Sequence, residues 1–252
     1  IREAPYRQRT DPVEFHIVRA RARVLQEIST QGRIESKAVF EAQLKQPQRQ
    51  LQAAAQYGLS FLALQQGDLA GAQSWLDKAR ATMKPRTGVF SAGRDGNNGE
   101  VLLAALATEI KLAPGQPAAV VQQAVKEADQ ARQQYPLSRA LAHQYADALI
   151  AGGKLEEAAR YLREQVQQYR DEPKLYEQLA QAYAKQGKIA LQHMALAESY
   201  VRNGALPAAV DQLNLARKSG DVSFYDQAVI DARERELQAR QREEKEEKKK
   251  ER

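Results

Sequence analysis

The chain has 252 residues, of which 28% are charged and 43% hydrophobic, with a formal charge of +6 and a pI of about 9.4. That is the balance of one large or two small globular domains, and no apolar run approaches the roughly 18 residues of a membrane-spanning helix. The absence of Cys excludes disulfides, Cys-ligated zinc and thiol catalysis, and the interleaving of Lys and Arg with Glu and Asp argues against a nucleic-acid partner.

Residues 1–10 are polar and aperiodic and read as a flexible arm. Asp11 and Pro12 then form a helix start, with Asp as cap and Pro in the first turn. The following helix carries Phe15, Val18, Ala22 and Leu25 at spacings of three and four, which marks them as its packing stripe, and it should end near Gly32. A second helix covers about 35–45.

From residue 49 a repeat becomes legible. A helix, a Gly-Asp turn at Gly67 and a second helix are followed by the same layout around Gly153 and again around Gly187. Gly153 and Gly187 lie 34 residues apart, the period of tetratricopeptide (TPR) repeats. Small residues stand where paired helices touch: Ser60, Ala72 and Ala79 around Gly67, then Ala146 and Ala158 around Gly153. Large apolar residues lie between them, among them Leu59, Leu76, Tyr145, Leu149 and Leu162. The unit around Gly187 fits in its first helix through Tyr176, Leu179, Ala180 and Tyr183, but Gln192 breaks the pattern in its second. Anchoring on Gly204 removes the conflict. Helix 190–202 then opens a further hairpin, with Ala197 and Tyr200 in place, and helix 206–217 closes it with Ala209, Leu213 and Ala216. One helix would thus serve two hairpins and pack on both sides.

The Gly67–Gly153 interval exceeds two periods, and the Gly- and Asn-rich segment 84–100 accounts for the excess as an inserted loop. Helices at about 100–112 and 117–134 follow, closed by Pro136. Residues 222–240 form a helix whose Phe224, Ala228, Ile230 and Leu237 should cover the last hairpin, as a solenoid end requires. Residues 241–252 contain no apolar side chain and read as a helical extension or a disordered tail. The expected architecture is an all-α, TPR-like right-handed solenoid of antiparallel hairpins over residues 11–240, with a C-terminal capping helix.

Reactive chemistry is sparse. His16, His143 and His193 fall in three different hairpins, none four residues from another, and no HExxH occurs. There is no phosphate-binding glycine loop and no GxSxG. Asp95, Asn97 and Asn98 lack the Gly and Glu offsets of a calcium loop. Glu156 and Glu157 suit a helix N-terminus through its dipole. No catalytic residue and no metal ligand is therefore assigned to this chain. What remains is a surface. The repeat register puts Tyr57, Phe61, His143, Asp147, Glu177, Gln181, Glu198 and Arg202 on the concave side, where rings beside amides and charges could grip a protein or peptide partner. The alternative for Tyr57 and Phe61 is a place in the core.

Two segments carry a more specific likeness. FHIVRARARVL near the start, and LQHMALAESYVRNGALPAAVDQLNLARKSGDVSFYDQAVIDARERELQ near the end, resemble the C-terminal part of BepA-like periplasmic zinc metallopeptidases. The likeness covers most of residues 12–239 and is most specific from Gln192-His193 to Ile230-Asp231-Ala232-Arg233. It implies a periplasmic setting, a role in outer-membrane protein assembly and quality control, and partners among the β-barrel assembly machinery or its substrates. Zinc and the HExxH would belong to a peptidase domain that is not on this chain, and that domain would itself be a partner. Beginning at Ile1, the chain reads as a piece of a longer protein or a mature form. The rival reading is a free-standing TPR adaptor, cytoplasmic and unrelated to a peptidase.

Overall fold

The computed structural model describes residues 11–84 and 98–250. Every regular element in that range is an α-helix: α1 (Val13–Gln26), α2 (Thr30–Leu44), α3 (Arg49–Gln65), α4 (Leu69–Met83), α5 (Asn98–Leu112), α6 (Ala118–Gln134), α7 (Arg139–Ala151), α8 (Leu155–Gln168), α9 (Pro173–Gln186), α10 (Ile189–Arg202), α11 (Leu206–Lys218) and α12 (Phe224–Lys250). The expected all-α, TPR-like stack of helix hairpins with a C-terminal capping helix is what forms. The arm at 1–10 and most of the inserted loop at 84–100 lie outside the described residues. The chain divides into two compact units, residues 1–144 and 145–252.

The hairpins owe their turns to one backbone device. Gly67, Gly153, Gly187 and Gly204 all have φ between 73° and 77°, in the left-handed region. The residue after each glycine donates its N–H to the carbonyl five residues back: Asp68 to Ala63, Lys154 to Leu149, Lys188 to Tyr183 and Ala205 to Tyr200, at 2.9–3.0 Å. This is the Schellman closure, which satisfies carbonyls left over at a helix end. A Cβ at any of the four glycines would meet nothing within 4 Å, so the demand for glycine is one of backbone conformation alone.

In the unit of residues 1–144, α3 is the central element and packs against α1, α2 and α4. Its Ser60 hydroxyl donates to the Ala72 carbonyl at 2.7 Å, where α3 and α4 come closest, and Ala72, Leu76 and Ala79 are buried. A Cβ on Gly58 would come within 2.5 Å of the Phe40 ring, so α2 approaches α3 closely enough to require glycine there. The first helix ends sooner than expected, at Gln26, and Gly32 lies in the first turn of α2. Ser29 explains the difference: its Oγ accepts from the Gly32 N–H at 3.0 Å and starts a new helix.

In the unit of residues 145–252, Tyr145 and Tyr161 meet edge to face at 5.0 Å between α7 and α8, and Tyr145 donates to Glu157 at 3.0 Å. Helix α10 packs against both α9 and α11, as the overlapping hairpins require. The buried Ala190, Ala195, Ala197 and Ser199 make that double approach possible. Tyr200, expected inward, is exposed. Helix α12 closes the stack by burying Ile230 and Leu237 against Leu206, Ala209, Leu213 and Ala216, and it continues as one helix to Lys250. Phe224 and Ala228 do not join this contact; Phe224 is 94% exposed. At 100° per residue they lie about 120° and 160° around α12 from Ile230.

Candidate functional site

The eight residues expected on a binding face separate into three groups. Tyr57 and Phe61 are core: their exposures are 0% and 1%, and neither can reach a partner. Each stands on α3, the helix covered from three sides. Arg21 of α1 lies over the Phe61 ring with its guanidinium carbon 4.2 Å from the centroid, and donates to Tyr57 Oη and Glu109 Oε2, both at 3.0 Å. Gln144 Nε2 completes the arrangement by donating to Glu109 Oε1 at 3.3 Å and to the Ala105 carbonyl at 2.8 Å. Burial raises the Tyr57 hydroxyl above its ordinary pKa, and the neighbouring Arg21 only partly offsets this. Burial would lower Arg21, but Tyr57 and Glu109 outweigh it and hold the guanidinium more firmly charged. The cluster therefore ties α1, α3 and α5 together.

Asp147, Glu177, Glu198 and Arg202 form the second group, and their side chains bond within the molecule. Asp147 accepts from the buried Gln178 at 2.6 Å. Glu177 accepts from Ser199 at 3.2 Å. Glu198 receives Arg202 Nη1 at 2.6 Å and Arg233 through Nε at 2.7 Å and Nη2 at 2.9 Å. Arg202 also stacks on the Tyr176 ring at 3.9 Å, donates to its hydroxyl at 2.7 Å, and bonds the Arg170 carbonyl. Residues from α9, α10 and α12 thus converge on one charged cluster, of which the sequence indicated Glu198 and Arg202 but neither Tyr176 nor Arg233 as members. Gln181 and His143 are the third group; Gln181 is exposed and His143 half-buried.

Sequence reasoning missed the outer side of α1. The helix packs inward through Ile17, Ala20 and Val24. Phe15, Val18 and Leu25, expected to pack, are 48%, 54% and 54% exposed. Both stripes have helical spacing, and a helix apolar on two faces carries more apolar surface than one contact covers. Each stripe also contains one alanine, Ala20 inward and Ala22 outward, so residue size does not rank them either.

On another side of α1 lies a cavity of about 270 Å³ between α1, α2 and α3. His16, Arg19 and Arg23 of α1 line it together with Val39, Phe40, Gln43, Leu51 and Ala54. His16 Nδ1 is buried and has no hydrogen-bond partner among the described residues. Such an orphan costs about 1–3 kcal/mol unless something pairs with it.

Among the described residues no group of three His, Asp or Glu side chains could hold a metal ion, and no helix is long and apolar enough to cross a membrane. No protein-family model matches the chain, and no curated protein matches it in sequence.

Proposed function

We propose that this chain is a protein-interaction module: the TPR-like part of a BepA-like periplasmic zinc metallopeptidase, acting in outer-membrane protein assembly and quality control. Its partners are the β-barrel assembly machinery or the substrates of that process, together with the peptidase domain of the parent protein. Zinc and peptide hydrolysis belong to that domain, and this chain recruits and positions. The observation that carries the reading as a binding module is the apolar outer stripe of α1, where Phe15, Val18 and Leu25 stand open on a stack of helix hairpins. Helical repeats bind proteins through helix faces of this kind, because packed side chains present a rigid surface at little entropic cost. The compartment and the peptidase connection rest on the sequence likeness, strongest between Gln192 and Arg233.

The test is a photoreactive amino acid placed at the exposed Val18 and, separately, at Gln181, in the full-length protein expressed in its own cells. The reading expects adducts with outer-membrane assembly proteins. Adducts only with cytoplasmic proteins would overturn the compartment, and no adduct from either position would overturn the proposed role in outer-membrane protein assembly.

A further inference from the structure

The cavity between α1, α2 and α3 carries its positive charge on one side. Val39, Phe40, Leu51, Ala54 and the neutral Gln43 line it from α2 and α3, and His16, Arg19 and Arg23 stand along its α1 side. Those three follow at spacings of three and four, which places them on one face of α1. No Asp or Glu lines the cavity. Arg23 makes no side-chain hydrogen bond or ion pair among the described residues, and Arg19 touches the Phe15 ring at 5.7 Å without an acidic partner. The buried His16 Nδ1 lacks a partner as well. Elsewhere on the same helix Arg21 is fully engaged with Tyr57 and Glu109, so the lack of partners is confined to the cavity side.

We infer that this cavity is the anchor for an acidic–apolar peptide segment of a partner protein: one large apolar side chain fills it, and carboxylates flanking that side chain pair with Arg19 and Arg23. The inference rests on the reading of the chain as an interaction module and names the chemistry of the segment it takes. Charge complementarity selects the occupant. Two guanidinium groups at the edge of an apolar recess favour a ligand that carries an apolar group and negative charge within a few ångströms of each other. A peptide held there would continue past the exposed Phe15, over whose ring the Arg19 guanidinium lies.

The probe is GDLFDG-amide carrying fluorescein on its N-terminal amine, with GNLFNG-amide labelled in the same way as the control without carboxylates, each titrated with the whole chain and read by fluorescence anisotropy. The acidic probe is expected to saturate, to bind at least tenfold more tightly than the control, and to weaken at least tenfold in the Arg19→Gln, Arg23→Gln double variant. Amide shifts on binding should concentrate in α1, α2 and α3. Both arginines are exposed, so the double variant should keep the parent's helical circular dichroism and melting temperature. Equal affinity for the two peptides, indifference to the double substitution, or no saturable binding to the folded chain would each overturn the assignment. So would displacement of both peptides alike by phosphatidylglycerol vesicles, which would give the face to a lipid surface. Crosslinking from Gln181 without probe binding at α1 removes this site and leaves the broader reading intact. Carboxylate-dependent binding at α1 without any cellular crosslink supports the site and removes only the cellular reading.

Discussion

Each unit contains an arginine stacked on an aromatic ring and bonded to a tyrosine hydroxyl and a glutamate, and the two arrangements do different work. Arg21 lies on Phe61 and reaches Tyr57 and Glu109, with both rings sealed in the core of the first unit. Arg202 lies on Tyr176 and reaches Glu198, which a second arginine, Arg233, also holds. The first cluster has its charges at the edge of a core that the aromatic rings fill. The second is mostly polar and joins α9 and α10 to the capping helix. The same pairing of arginine, tyrosine and glutamate therefore gives a core anchor in one place and a latch to the capping helix in the other; the first adds a second buried ring, Phe61, and the second adds a second arginine, Arg233.

The largest test of that contrast is Phe61→Ala. It empties a fully buried ring site and removes the surface on which Arg21 rests, so it should cost about 3–5 kcal/mol. Trp75, the single tryptophan, packs against the same core, so its fluorescence during urea unfolding reads the loss directly. A cost below about 1 kcal/mol would show that the ring is not part of a close-packed core. Next in size is Ile230→Ala, expected to cost about 2–5 kcal/mol by opening a void where α12 covers α11. Hydrogen exchange should speed up in α11 and α12 while α3 and α4 keep their protection. Uniform acceleration along the chain would mean that the cap is not a local element.

Smaller, and aimed at the arginines themselves, is the pair Arg21→Met and Arg202→Met. Arg21→Met takes the partner of the buried Tyr57 hydroxyl and leaves Glu109 only the longer bond from Gln144, and should cost about 1–3 kcal/mol. Arg202→Met leaves Glu198 still held by Arg233 through two bonds and should cost about 1 kcal/mol or less. Equal losses in the two variants would erase the distinction between anchor and latch.

The sequence made the hairpins legible because their turns depend on one residue type. Gly67, Gly153, Gly187 and Gly204 are required by φ alone, and φ is a local property that a sequence states openly. The sharing of α10 was also legible, since Gln192 breaks one register while Ala197 fits another. The binding face was not. Tyr57 and Phe61 look like groove residues in the repeat register, but α1 and its Arg21 fold over them, and α1 precedes the legible repeats. The two stripes of α1 could not be ranked from spacing, because Phe15, Val18 and Leu25 are as periodic as Ile17, Ala20 and Val24. Only the position of α3 decides which stripe is inward. The charged cluster failed to appear for a related reason: Arg233 lies 35 residues beyond Glu198, and no local pattern links them.

The finest distinction between the two clusters concerns protons on Tyr57 and Tyr176. Burial raises both hydroxyls above the ordinary tyrosine value, with the neighbouring arginine lowering each in part. A pKa raised by folding means that the neutral hydroxyl is favoured in the native state. The associated stability is complete below pH about 10 and is lost as pH climbs through the native value. Phenylalanine has no proton to lose at either position. Tyr57→Phe should therefore be less stable than the parent at neutral pH, by about 1 kcal/mol for the missing hydrogen bond. It should also decline less steeply than the parent above pH about 10. Tyr176→Phe should follow the same sign with a smaller difference, because Tyr176 keeps 8% exposure and Tyr57 none. Denaturation midpoints compared on either side of pH about 10, with tyrosinate absorbance as the titration readout, measure both slopes. If the parent and Tyr57→Phe lose stability in parallel through the alkaline range, the Tyr57 hydroxyl is not sheltered by folding, and its cluster is no more a core anchor than the one around Arg202.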